Sequence, residues 1–268
     1  PHAEQVHVFG TFNEWEENQY PMKKKGPGGI YELFIPGVKT GEMYKFLITT
    51  PDGRKLYKAD PFANYAEKRP GTASITTDIS HLKWSDSAWM EERDGKDMNK
   101  EPMAIYECHI GSWMKHPCKD EDGFYNYREF ADRLVAYLKD LKFTHVELMG
   151  IAEHPFDGSW GYQTSGFFSP TSRYGTAEEL AGLVDLFHRN GIGVIFDFVP
   201  THFTVDDFAL SRYDGMALYE YAQPEIGYSQ WGSCNFDYYK GVVKSFLQSA
   251  ADYWLTVFHG DGLRMDAI

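Results

Sequence analysis

Basic residues are scarce in this sequence: 26 Lys and Arg stand against 39 Asp and Glu, for a formal charge of −13. That balance argues against a nucleic-acid or anionic-membrane surface as partner and leaves neutral or cationic ligands open. Cysteine is scarcer still. Cys108, Cys118 and Cys234 are too few and too scattered for a disulfide framework or for C-x-x-C metal spacing, so a reducing compartment is expected. No apolar run approaches the ~18 residues of a membrane helix, and the opening PHAEQVHVFG lacks the basic, apolar and cleavage segments of a secretory signal. What is present is the balance of an ordinary globular protein, 43% hydrophobic and 24% charged over 268 residues, enough for one large domain or two smaller ones. Aromatic residues are plentiful at 16%, which suits ligands with flat apolar faces, such as sugars, as well as an aromatic core.

Residues 1–80 read as short strands punctuated by turns, which predicts a small β-sandwich. Residues 6–9 run into Gly10, residues 30–35 alternate, and residues 44–48 precede a Pro51-Asp52-Gly53 turn that predicts a hairpin. Residues 81–102 lose the pattern in a charge-dense stretch without sustained periodicity, expected to be a linker pinned to a neighbour by Trp84 and Trp89.

From residue 103 to 268 the grammar becomes strand, helix, strand, helix. An apolar stripe after an Asn126 cap predicts a helix over 127–141, and a Thr176/Glu179 capping box opens another that Asn190-Gly191 ends. Residues 104–107, 145–149, 193–199 and 262–265 would be four strands of a parallel sheet, with a third striped helix between the last two. A (β/α)₈ barrel needs ~250 residues, so this stretch predicts about its first half. A doubly wound four-stranded sheet would fit the same repeats, but it would leave the excursion over 200–240 without a purpose. The fold expected is therefore multidomain, a β-sandwich followed by α/β.

Two acidic residues each end an apolar strand: Asp197 in F-D-F-V-P-T-H and Asp266 in G-L-R-M-D-A. In a barrel such strand ends converge on the C-terminal mouth, and a carboxylate there must be paired, hydrogen-bonded or working. Arg264, two residues before Asp266 and so on the same face, can hold that carboxylate ionised, as a glycosidase nucleophile requires. The plainer reading is a buried salt bridge and a capped turn. His202 by itself would be a packed loop histidine, and its company with these groups favours function. The loop Glu153–Gln163, E-H-P-F-D-G-S-W-G-Y-Q, is either a glycine-rich surface loop or, through Trp160 and Tyr162, a platform for sugar faces.

At these residues the chain resembles the α-amylase superfamily, glycoside hydrolase family 13, and most closely its 1,4-α-glucan branching enzymes. The loop above, S-R-Y-G-T, D-F-V-P-T-H-F, L-Y-E, W-G-S-C-N-F and D-G-L-R-M-D-A fall in family order across nearly the whole chain. The first domain, with G-T-F-N-E-W, Y-K-F and D-P-F-A, looks like the glycogen-binding immunoglobulin-like module that precedes these barrels. The resemblance implies that Asp266 is the nucleophile, that Arg264 orients it, and that Asp197, His202 and Tyr162 contact the transferred sugar, with Trp160 and Gln163 in the same substrate-binding loop. In the module it implies glucan contacts at Trp15, Lys45 and Tyr57, whose alternative role is strand packing.

Thr201 stands where α-amylases carry a calcium-binding Asn, so no metal or other cofactor is expected. The family's acid/base Glu and later His-Asp pair lie on strands beyond Ile268, so the 268 residues alone are expected not to branch. The implied partners are glycogen, amylose and amylopectin, and the implied setting is the cytoplasm. A hydrolytic or debranching relative and a non-catalytic glucan-binding fragment are the competing readings.

Overall fold

In the computed structural model, which describes residues 1–117 and 122–268, short antiparallel strands build the front of the chain. They are β1 (Gln5–Gly10), β2 (Lys23–Lys25), β3 (Ile30–Glu32), β4 (Met43–Thr49), β5 (Lys55–Lys58) and β6 (Ser74–Ile75). One sheet runs β1-β4-β5 with β6 on β4, and β2 pairs with β3. Val6, Val8, Phe9, Leu47 and Ile48 are buried in it. The predicted hairpin joins β4 to β5, closed by the Thr50 amide on the Arg54 carbonyl at 3.0 Å, with Gly53 at φ 82°. The alternation over 30–35 yields strand only to Glu32, because its partner β2 is three lysines long and the ladder ends at the Lys23–Glu32 pair. Phe34 is left in solvent.

The stretch 81–102 is not irregular throughout. It contains helix α1 (Ser87–Gly95), which buries none of its residues and so carries no apolar stripe to announce it. Its fixing is nonetheless aromatic, as expected. Trp84 stacks on His259 at 3.8 Å, and the Trp89 indole donates to Asp261 at 2.9 Å while stacking on His188.

The remainder runs β7 (Ile105–His109), α2 (Ile110–Trp113), α3 (Tyr127–Asp140), β8 (His145–Met149), β9 (Ala152–Glu153), β10 (Gly166–Pro170), α4 (Ala177–Arg189), β11 (Gly193–Phe198), β12 (His202–Phe203), α5 (Pro224–Gly227), β13 (Cys234–Asn235), α6 (Gly241–Thr256) and β14 (Gly262–Met265). The predicted Asn126 cap forms, with Glu129 completing a capping box there, and so does the predicted Thr176/Glu179 box. The parallel sheet has the spatial order β7-β8-β11-β14. Each strand is added beside its predecessor and the order never reverses, which is the winding of a barrel and not of a doubly wound sheet. Val146, Leu148, Val194 and Phe196 on one face are fully buried in one core with the apolar stripes of α3, α4 and α6. The opposite face carries Glu147, Asp197 and Arg264. Cys108 and Cys234 are buried free thiols, and Cys118 lies outside the described residues. Among the described residues no helix is long and apolar enough to cross a membrane.

The excursion after β11 folds back on itself through the β12–β13 pair and grips the first domain. Lys58, 2% exposed, donates its ammonium to the carbonyls of Asp207, Ala209 (3.3 Å) and Ser211 (2.7 Å). Beside it the Ala59 amide donates to Phe208 and the Tyr213 hydroxyl to Ala59. Lys58→Met keeps the stem but strands these carbonyls, so it is expected to cost about 2–3 kcal/mol in denaturant unfolding. A loss within ~0.5 kcal/mol, the size of an ordinary surface change, would show that the carbonyls are satisfied without it.

Candidate active site

Register brings the acidic strand ends together. Asp197 on β11 pairs with Arg264 on β14, and Asp266 follows β14 with its amide donating to the Phe198 carbonyl at 3.0 Å. Arg264 Nη1 donates to Asp266 Oδ1, to Asp197 Oδ1 at 3.2 Å and, more loosely, to the Tyr162 hydroxyl at 3.5 Å. Burial opposes the guanidinium charge, but Asp197 and Asp266 outweigh it, so Arg264 stays firmly cationic. Asp197 is almost fully buried, and its second oxygen, Oδ2, has no partner. Burial raises its pKa above the usual carboxylate value against the pull of Tyr162 and Arg264. The Tyr162 phenol is pushed upward, first by burial and then by the Asp197 carboxylate, so it is a neutral hydroxyl.

His202 sits on β12, buried, with Nδ1 sharing a 2.9 Å hydrogen bond with Ser233 Oγ across the β12–β13 pair. Burial holds it neutral, and the nearby Asp266 charge only partly offsets this. Thr201 donates to the Ala267 carbonyl at 2.7 Å, which ties the loop to the residue after Asp266. One polar centre thus gathers Asp197, Arg264, Asp266 and Tyr162, with His202 beside it. A carboxylate, a fixed cation and neutral donors around one point suit stabilisation of a sugar whose anomeric carbon is under attack.

The other expected residues are placed differently. Trp160 and Tyr162 do not form one platform. Trp160 (φ 54°) and Gly161 (φ 92°) turn the chain between them, and Gly161 lies so close to Gly150 that a Cβ on it would sit 2.2 Å from the Gly150 Cα. Tyr162 faces Arg264, whereas the Trp160 ring lies 6.3 Å from His109. Gln163 follows, half-buried. In the first domain Trp15 and Tyr57 flank Phe9 at 5.5 and 6.0 Å. The Tyr57 hydroxyl already donates to Glu17 and Lys45 to Thr72, which leaves the Trp15 ring as the freer group.

Two contributors escaped the sequence reading. Glu147, 3.9 Å from Arg264, has its pKa raised by burial and then by Glu107 and Asp197. A charge in the middle of the apolar run H-V-E-L-M was its signal. Ser233, which orients His202, lies 31 residues from it and carried no local signal.

Comparison with known proteins bears on the fold and the relatives of the chain. Residues 1–63 match the model of carbohydrate-binding module 48, the isoamylase N-terminal domain, and residues 119–221 that of the α-amylase catalytic domain. The whole chain is 59% identical to 42% of the 1,4-alpha-glucan branching enzyme GlgB of Butyrivibrio fibrisolvens. It is 49% identical to 36% of the same-named enzyme of Nitrosospira multiformis. A solved Salmonella typhimurium protein assigned to the α-amylases superposes over 100% of this chain and 40% of its own, with a TM-score of 0.78 at 25% identity. The chain therefore spans about two-fifths of the length of the curated relatives it matches.

Proposed function

We infer that this chain, a carbohydrate-binding module 48 joined to the front of an α-amylase catalytic domain, works within a 1,4-α-glucan branching enzyme. The observation that carries this reading is the Asp197–Arg264–Asp266 cluster at the ends of adjacent parallel strands. Asp266 attacks the anomeric carbon of an α-1,4-linked glucan, and the C1–O4 bond breaks as the leaving oxygen takes a proton from an acid that these residues do not supply. The resulting glycosyl ester on Asp266 is then attacked by the 6-hydroxyl of an acceptor glucan, whose proton goes to the conjugate base of that same acid. That step forms the α-1,6 branch and frees the carboxylate.

Arg264 pairs with Asp266 and aims it, the open oxygen of Asp197 accepts from sugar hydroxyls, and neutral His202 and Tyr162 add hydrogen bonds to the same ring. Trp160 and Gln163 extend the contact, while Trp15, Lys45 and Tyr57 hold glucan on the module. The substrates are glycogen, amylose and amylopectin, and the setting is the cytoplasm, where stored glycogen lies.

The test is the full-length protein on amylose. Iodine staining should fall with little release of reducing ends, whereas reducing ends that rise in step with cleavage would make the protein a hydrolytic relative. Arg264→Lys retains a charge but loses the planar fork that spans two carboxylates. It is expected to lower kcat by ~10²–10³ with glycogen affinity unchanged, and near-normal kcat would remove Arg264 from its role.

A further inference from the structure

We propose that Arg69, carried by the first domain, is a positioning residue for the reaction at the Asp266 cluster: by gripping Asp157 it sets the loop Glu153–Gln163 and so aims the Tyr162 hydroxyl. This role rests on the glucan reading above and is exercised through Asp157, not by contact with sugar.

Arg69 stands between the two stretches that match family models, 1–63 and 119–221. It sits in a turn closed by the Glu67 amide on the Ala73 carbonyl at 2.9 Å, and the Glu67 carboxylate accepts from the Ala73 amide at 3.1 Å, just before β6. From this closed turn the guanidinium meets two loops of the second domain. Nε at 2.6 Å and Nη2 reach the two oxygens of Asp157, while Nη2 at 2.8 Å and Nη1 at 3.2 Å reach the two oxygens of Asp122. Paired contacts of this kind fix direction as well as distance. Asp122 is also met by Lys68 at 3.4 Å, so without Arg69 its loop keeps a tie to the first domain. Asp157 would be left with Arg173, which belongs to the second domain itself.

The loop needs such a hold. Asp157 opens a single 3₁₀ turn, Asp157–Ser159, whose carbonyls at Asp157 and Ser159 accept from the amides of Trp160 at 3.1 Å and Tyr162 at 3.0 Å. A displacement of Asp157 is therefore handed on to Tyr162 by the backbone. Between them Trp160 is kept at φ 54°, a left-handed conformation that is costly for any residue with a Cβ and persists only where the surroundings over-determine it. Gly161 against Gly150 fixes the far end of this strained turn, and the two arginines on Asp157 fix the near end. Burial alone would raise the Asp157 pKa, but the hydrogen bonds from Arg69 and Arg173 take it down to about 2, so the grip is ionic at neutral pH. The side chains of Arg69 and Asp157 are 19% and 45% exposed, and ion pairs open to water add little stability. The contribution of the pair is to geometry, and it is read in the rate, since misplacing a group by ~1 Å can cost ~10²-fold.

The experiment measures kcat on amylose in the full-length protein carrying Arg69→Met, Tyr162→Phe or both, each well below its melting temperature. Arg69→Met is expected to lower kcat by ~10–10² with glycogen co-sedimentation unchanged, and Tyr162→Phe to lower it at least as much. Added to Tyr162→Phe, Arg69→Met should cost no more than a further ~twofold, because no hydroxyl is left to aim. Asp157→Asn weakens the same grip from the loop side and should give the same pattern, which covers the case of a poorly folding Arg69 variant. Losses that multiply in the double variant would overturn the proposal, as would kcat within ~twofold of wild type in both Arg69→Met and Asp157→Asn. The same non-additivity, read on reducing ends in a protein whose wild type only hydrolyses amylose, would support Arg69 in its role and remove the branching reading.

Discussion

Asp266→Asn in the full-length protein should reduce branching of amylose by ~10⁴-fold or more while leaving its affinity for glycogen intact. The substitution keeps the shape of the side chain and the Asp266 amide bond to Phe198, so the strand end stays in place. Under the proposed mechanism, what it removes is the attacking oxygen, and with it the covalent intermediate that turns one difficult displacement into two easier ones. Arg264 would then be left with Asp197 as its charged partner at 3.2 Å and Glu147 further off. Iodine staining of amylose over time gives the rate, and glycogen co-sedimentation gives the binding. Branching within ~100-fold of wild type, the contribution of a single acid-base group, would mean that another residue is the nucleophile.

The second large effect lies at the opposite end of the sheet. His188, fully buried, bridges two carboxylates: Nδ1 lies 2.8 Å from Asp86 and Nε2 lies 2.9 Å from Asp261. His259 also reaches Asp86 at 2.8 Å, and Asp261 accepts from the Trp89 indole and lies 3.3 Å from Arg93. Burial alone would raise the pKa of both aspartates, but the histidine hydrogen bonds overcome it and hold both below the usual 3.8. His188→Leu leaves both buried carboxylates short of a partner, so it is expected to cost about 3–5 kcal/mol in urea unfolding. A loss under ~1 kcal/mol, typical of an exposed pair, would show that His259 and Trp89 suffice. Because both aspartates are depressed, their contribution is complete above pH 3.8 and is lost as pH falls through their lowered values.

What could be seen in the sequence divides by range. Asn126 and Thr176 each cap a helix through a bond three residues along, and a helix start is built from such local bonds, so both caps were legible. Arg264 and Asp266 meet because a strand repeats every second residue. The His188 bridge joins residues 102 and 73 positions away, and no periodicity reports such pairings. The split between Trp160 and Tyr162 was hidden for another reason. It depends on two positive φ angles in a row, and aromatic spacing carries no information about backbone handedness.

The grip of Lys58 on residues 207–211 bears on how the molecule can be dissected. The same loop supplies His202 at one end and its partner Ser233 at the other, so the first domain braces from behind the wall that holds His202. Cutting the protein after residue 80 would strip that brace along with Trp15 and Tyr57. A truncated protein that has lost activity would therefore not show that the module's work is carbohydrate capture, and separating the two calls for point changes on the Trp15 face that leave Lys58 in place.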